Sequence, residues 1–292
     1  MKYNPLARLD VSSVLDRRGG RAAVGGGGLG LLGLIAYILF NVFTGGNAGS
    51  VLGNLGDGQS ANNTQLASEC KTGQDANEKL DCAVVADINS IQQYWTTTLP
   101  SLGARYTSAP TVWYTNGTQT ACGSASSGMG PFYCPADQTV YIDLSFYQDL
   151  QTKYGAQGGP FVDAYVLAHE YGHHVQDLLG TTARVKPGDS GPTSGSVRLE
   201  LQADCYAGVW GHEASKGGRF QAGHVELEPG DADEALRAAS VIGDDHLQKM
   251  ATGHVQPERF THGTSAQRME WFQRGMQSGD PRQCDTFSAT TH

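Results

Sequence analysis

The chain has 292 residues, 39% hydrophobic and 17% charged, enough for one compact domain with an ordinary core. Twenty Lys and Arg against 29 Asp and Glu leave a formal net charge of −9, which argues against nucleic acid or an anionic surface as a partner. Six cysteines and no internal repeat complete the outline.

The first 21 residues hold five basic side chains (Lys2, Arg8, Arg17, Arg18, Arg21) against Asp10 and Asp16. Ala22 to Phe43 is apolar or glycine except for Asn41, and as a helix it would span about 33 Å. No Lys or Arg follows until Lys71. That asymmetry predicts a cytoplasmic basic tail over 1–21, a single transmembrane helix over 22–44 and an extracytoplasmic remainder, so a single-pass protein of the cell membrane. A cleaved signal peptide ending near Gly46 to Ala48 is the competing reading. Residues 45–68, rich in Gly, Ser, Asn and Gln, read as a flexible linker, and 69–292 as the catalytic-type domain. In an exported chain the cysteines should pair. The equal spacing of Cys70/Cys82 and Cys122/Cys134 suggests two local bridges and leaves Cys205 with Cys284.

Further along, Asp75 to about Leu99 has helical apolar spacing through Leu80, Val84, Ile88, Ile91 and Trp95. Thr111 to Tyr114 and Thr139 to Phe146 read as strands, being rich in β-branched and aromatic residues. Phe161 to Leu179 reads as a helix stopped at Gly180, and Arg198 to Trp210 as another. Asp231 to about Leu247 and Ser265 to about Met276 are predicted as further helices.

The helix from Phe161 contains His169-Glu170-Tyr171-Gly172-His173. One turn apart on one face, His169 and His173 can converge on a single ion, while Glu170 lies about 100° round the helix beside it. Two neutral nitrogen ligands next to a carboxylate suit zinc and a proton-accepting base. A third ligand from a His-x-x-Gly-x-x-His continuation is closed, because Gln176 and Leu179 stand at those places. Glu200, 27 residues past His173, is the candidate third ligand, with Asp204 four residues on to accept the free imidazole N–H of a ligand histidine. Both carboxylates fall in an apolar run, where an unpaired charge is costly. His174 points away from the ligand face and reads as a structural hydrogen-bonder. His212 begins a similar pattern that ends in Lys216, so it supplies no ligand pair. His224, His246, His254 and His292 read as solvated loop residues.

These residues resemble the bacterial putative neutral zinc metallopeptidase family, a membrane-anchored set with a gluzincin-like site. The likeness runs through Met129 to Tyr147, His169 to Gln176, Glu200 to His212, Ile242 to His246, Phe260 to Ser265 with Arg268, and Ser278 to Cys284. It implies an α+β, mostly helical gluzincin-like domain with a small β-sheet, preceded by the transmembrane helix. It also implies a protein or peptide substrate and a Zn²⁺ cofactor. The strand over 139–146 is, by that resemblance, the candidate to pair with extended substrate, or else a plain core strand. His262 matches a histidine of related membrane gluzincins and is the candidate oxyanion stabiliser, or else lies near a helix cap built from Thr264 or Ser265. The expected activity is peptide hydrolysis, with Glu170 as general base. The rivals are a zinc-binding scaffold without catalysis and cleavage of another amide, such as a cell-wall crosslink.

Overall fold

The computed structural model describes residues 1–18, 63–186, 188–216 and 225–288. The chain opens with two short strands, β1 (Lys2–Tyr3) and β2 (Val14–Asp16). Three helices follow: α1 (Asn63–Glu69), α2 (Gly73–Glu78) and α3 (Leu80–Thr98). Strands β3 (Thr111–Trp113), β4 (Gly117–Thr120), β5 (Gly123–Ser126), β6 (Phe132–Cys134) and β7 (Thr139–Ile142) come next. Then come α4 (Ser145–Thr152), α5 (Pro160–Leu178) and α6 (Gly195–Ala214). Strand β8 (Val225–Glu226) precedes α7 (Asp231–Val241), α8 (Asp244–Thr252) and α9 (Ser265–Ser278).

The domain is mostly helical with small sheets. Helices α3, α5, α6 and α9 bury Trp95, Phe161, Tyr171, Trp210 and Phe272 in one core. A four-stranded sheet in the order β2-β3-β7-β6 covers one side, parallel except for β6, which runs antiparallel to β7. Two two-stranded pairs, β1-β8 and β4-β5, lie apart from it.

One expectation is overturned. Among the described residues no helix is long and apolar enough to cross a membrane, so the expected domain behind a single transmembrane helix is corrected to the α+β domain alone. Segment 22–44, where that helix was expected, lies outside the described residues, as do 45–62 of the linker. Two of the basic residues that motivated the anchor have partners within the domain. Arg18 pairs with Asp16 and Asp81 at 2.7 and 2.6 Å and lies over Trp113, and Lys2 pairs with Glu228 at 3.0 Å. Residues 14–16 form a strand of the main sheet rather than a tail.

Smaller differences have local causes. The helix expected from Asp75 breaks at Lys79, which is extended (φ −133°, ψ 129°). The strand expected through Phe146 ends at Ile142, because the Asp143 carboxylate accepts the Ser145 N–H at 3.0 Å and starts α4. The helix expected over Asp231 to Leu247 splits at Ile242 and Gly243. A Cβ on Gly243 would come within 2.3 Å of the Ser265 nitrogen, so only glycine admits the loop that packs there. All six cysteines pair, as Cys70–Cys82, Cys122–Cys134 and Cys205–Cys284, the connectivity the spacing suggested.

Candidate active site

Helices α5 and α6 build the site, and their contact is close. A Cβ on Gly172 would stand 3.1 Å from both Cα and the carbonyl oxygen of Ala203, so the glycine lets one helix rest on the backbone of the other. That approach sets the side chains of α5 against those of α6. His169 Nε2 lies 3.1 Å from Glu200 Oε2, and His173 Nε2 lies 3.5 Å from Glu200 Oε1. Donor atoms of His169, His173 and Glu200 all fall within 4.8 Å of one another.

The second nitrogen of each imidazole is committed. His169 Nδ1 donates to Asp204 Oδ1 at 2.8 Å, and His173 Nδ1 donates to Gln176 Oε1 at 2.9 Å. Gln176 is itself held by donating to Leu199 O at 2.6 Å and to Gln202 Oε1 at 3.2 Å. Both rings therefore present Nε2 towards Glu200, the arrangement a tetrahedral ion with three protein ligands requires. The residues fit zinc.

Asp204 is heavily bonded. Besides His169 it accepts from Tyr165 Oη at 2.6 Å and from Arg268 Nε and Nη2 at 2.8 and 2.9 Å. Arg268 also reaches Ile242 O at 3.3 Å, which ties α9 and the α7–α8 junction to the site. Burial opposes ionisation of Asp204, but Arg268 and His169 outweigh it and lower its pKa to about 2. Burial likewise opposes charge on His169, and Asp204 with Glu200 outweighs it, pushing the metal-free imidazole up to about 10. Glu200 is held below the usual carboxylate range against the cost of burial, by His173, His262 and His169.

Glu170 differs from its neighbours. Burial raises its pKa, with only partial relief from the charges of His169 and His173 and none from a hydrogen bond. It lines the same cavity of about 160 Å³ as His169, His173, Glu200 and His262. A buried carboxylate that shares a cavity with a metal-type triad and is free of partners can exchange protons with a bound molecule.

His262 reaches this cavity on the loop before α9. Its Nδ1 lies 3.1 Å from Asp244 Oδ1, and Asp244 Oδ2 accepts the backbone N–H of Thr261, His262 and Gly263 at 2.7, 2.7 and 3.1 Å. Asp244, completely buried at the start of α8, thus clamps the whole turn. Burial disfavours charge on His262, but Glu200 and Asp244 raise its pKa. The capping alternative is realised as well, since Thr264 accepts from Gln267 N at 3.1 Å and caps α9.

Other expectations are placed as follows. His174 is buried between Tyr133 Oη at 3.0 Å and Thr107 O at 2.6 Å. His212 donates to Met276 O at 2.7 Å, away from the site. His246 and His254 do not line the cavity, and His224 and His292 lie outside the described residues. Of the two readings of the strand over 139–146, the structure bears out the core strand. β7 is bonded on both sides, by β3 and β6, whereas β6 is an edge strand and its Phe132 and Tyr133 line the cavity. Three groups were missed from sequence. Tyr165 precedes His169 by one turn and was legible in principle, as was Gln176 one turn after His173's neighbourhood. Asp244 fell within the Ile242 to His246 stretch of the family resemblance, with no role read for it.

A family model described as putative neutral zinc metallopeptidase matches residues 6–287. The chain is 44% identical over 291 residues to the uncharacterized protein YpfJ of Escherichia coli K12, covering 96% of this chain and 97% of that one. It is 49% identical over 225 residues to an uncharacterized protein of Mycobacterium tuberculosis, covering 76% of this chain and 75% of that one. No solved structure matches. The match spans strand β2, both helices of the triad and the loop bearing His262, so this chain belongs to the putative neutral zinc metallopeptidase family.

Proposed function

We propose that the protein is a zinc-dependent peptidase in which His169, His173 and Glu200 hold the ion and Glu170 is the general base. The observation that carries the reading is the convergence of the three donors in one buried cavity with an unpartnered carboxylate beside them. Zinc, when bound, supplies Lewis acidity, bringing the pKa of a water from 15.7 to about 7 and polarising the scissile carbonyl. Glu170 accepts the proton of the attacking water and delivers it to the leaving amine. Its upward-shifted pKa suits the first half of that exchange, because a more basic carboxylate takes the proton more readily. His262, fixed at Nδ1 by Asp244, donates from Nε2 to the oxygen that gains charge in the tetrahedral state. Arg268, Tyr165 and Asp204 hold His169 in its tautomer. Three disulfides support a working place in an oxidising compartment.

The test is metal content by mass spectrometry together with peptide hydrolysis, for wild type, Glu200→Ala and Glu170→Gln. Zinc is expected near one per chain in wild type and Glu170→Gln and to be lost in Glu200→Ala. Hydrolysis is expected in wild type alone. Zinc retained without Glu200 removes it from the ligand set, and activity surviving in Glu170→Gln removes it as the base.

A further inference from the structure

The hydrogen bonding that holds the imidazole of His173 does not end at Gln176. His173 Nδ1 donates to Gln176 Oε1 at 2.9 Å, Gln176 Nε2 to Gln202 Oε1 at 3.2 Å, and Gln202 Nε2 to Cys284 O at 2.9 Å. These bonds all run the same way, from the ring to a backbone carbonyl that can only accept. Turning either amide over would set N–H against N–H at one end and oxygen against oxygen at the other. Leu199 O takes the other N–H of Gln176 at 2.6 Å and enforces the same sense. Gln176 and Gln202 are both buried, so a lost partner leaves a polar group unpaired in the core.

The last acceptor sits on a pinned turn. Cys284 ends the short helical turn Pro281–Cys284 and is bridged to Cys205. Cys205 stands three residues after Gln202 on α6, so the bridge and the amide are neighbours on the helix surface. Two residues on, the Thr286 hydroxyl donates to Arg198 O at 2.6 Å, and Arg198 Nη1 donates back to Thr286 O. The turn is therefore fastened to α6 on either side of Gln202. Cys205 and Cys284 are completely buried, so the bridge is shielded from thiol exchange and serves as a permanent fastening.

We propose that this disulfide-pinned turn, residues 281–286, is a positioning element of the metal centre, acting on His173 through Gln202 and Gln176. The turn fixes the Cys284 carbonyl, the carbonyl fixes Gln202, and Gln202 helps fix the amide that receives the Nδ1 proton of His173. A ring held at Nδ1 keeps its tautomer and keeps Nε2 aimed at the ion. Each bond in the series also polarises the next, which makes the ring nitrogen a better donor to metal. The proposal rests on the reading of His173 as a zinc ligand.

The experiment measures zinc affinity of the full-length protein against a competing chelator, and the visible absorption of the Co²⁺-loaded form, which reports ligand geometry. Gln202→Leu is expected to weaken zinc about 10-fold and to alter the Co²⁺ spectrum, with the bridge intact and a melting curve showing the protein folded. Cys205→Ala with Cys284→Ala should weaken it by a similar factor. Cys70→Ala with Cys82→Ala, which removes a bridge with no link to His173, should change affinity by less than about 2-fold. The decisive variant combines Gln202→Leu with loss of the Cys205–Cys284 bridge. It should bind no more than about 2-fold more weakly than Gln202→Leu alone, because the route to His173 is already cut. If the bridgeless protein does not fold, Thr286→Val takes its place in the comparison, since it unclasps the same turn with the bridge intact. A full additional loss in the combined variant shows that the turn acts through α6 at large and overturns the proposal. Wild-type affinity in Gln202→Leu overturns it too, and with zinc lost in His173→Ala it leaves the ligand reading standing. Zinc unaffected by His173→Ala overturns the ligand reading and the proposal together.

Discussion

Replacing Asp204 by Ala tests whether the site is held by one buried network. Asp204 is 0% exposed and accepts four hydrogen bonds, from Tyr165, His169 and twice from Arg268, itself only 4% exposed. Alanine leaves the Arg268 guanidinium buried without its counter-ion. Breaking a buried pair in this way costs about 3–5 kcal/mol, a large part of a typical domain's stability of about 5–15 kcal/mol. With a urea dependence of about 3 kcal/mol per M, the unfolding midpoint of the metal-free, disulfide-intact protein is expected to fall by about 1–2 M. Zinc affinity, measured separately against a competing chelator, is expected to weaken about 10- to 100-fold, because His169 loses the acceptor that orients it. The two effects separate in a double variant. Asp204→Leu with Arg268→Met removes both charges and should regain most of the lost stability, but none of the zinc affinity. A metal-free Asp204→Ala protein whose midpoint falls by less than about 0.3 M refutes the energetic argument. A double variant that binds zinc like wild type refutes the orienting role.

Three further outcomes are expected. His169 is raised from 6.5 to about 10 in the metal-free protein, so its contribution to stability is complete below pH 6.5 and is lost as pH rises through 10. Zinc must displace that proton, and calorimetry in buffers of different ionisation enthalpy near pH 7.5 should find about one proton released per ion; release near zero contradicts it. His262→Ala should lower kcat about 100- to 1000-fold with little change in KM and no loss of zinc, and a change confined to KM would remove it from oxyanion stabilisation. Gly172→Ala should cost about 1–3 kcal/mol and weaken zinc binding, because the new methyl meets the backbone of Ala203 rather than a movable side chain. A Gly172→Ala protein that melts and binds zinc like wild type would show that the helices can separate freely.

Much of the candidate site was legible because its chemistry is local. The spacing of His169 and His173 places both on one face of any helix that forms, and the same holds for Glu200 and Asp204. The helix was assured by its apolar periodicity and by Pro160 at its start, which needs no N–H there. Equal cysteine intervals pointed to two local bridges because chain closure over 12 residues favours near neighbours. The pairing of Arg18 with Asp16 and Asp81, and of Lys2 with Glu228, was not legible, because free charges and charges destined for a partner read alike in a linear sequence.

Residue types and their intervals by themselves pointed to the candidate donor set, its helix faces and the carboxylate beside it, since a helix turns through a constant angle per residue. Only the tertiary structure decided which groups hold that set in place. Arg268 finds Asp204 across 64 residues and Asp244 finds His262 across 18, through the packing of α6, α8 and α9. Val14 to Asp16 joins Thr111 to Trp113 in one sheet across nearly a hundred residues. No periodicity encodes such partners. Each is chosen because a buried charge or an open strand edge must be satisfied, and the satisfying group comes from whichever segment the core brings alongside.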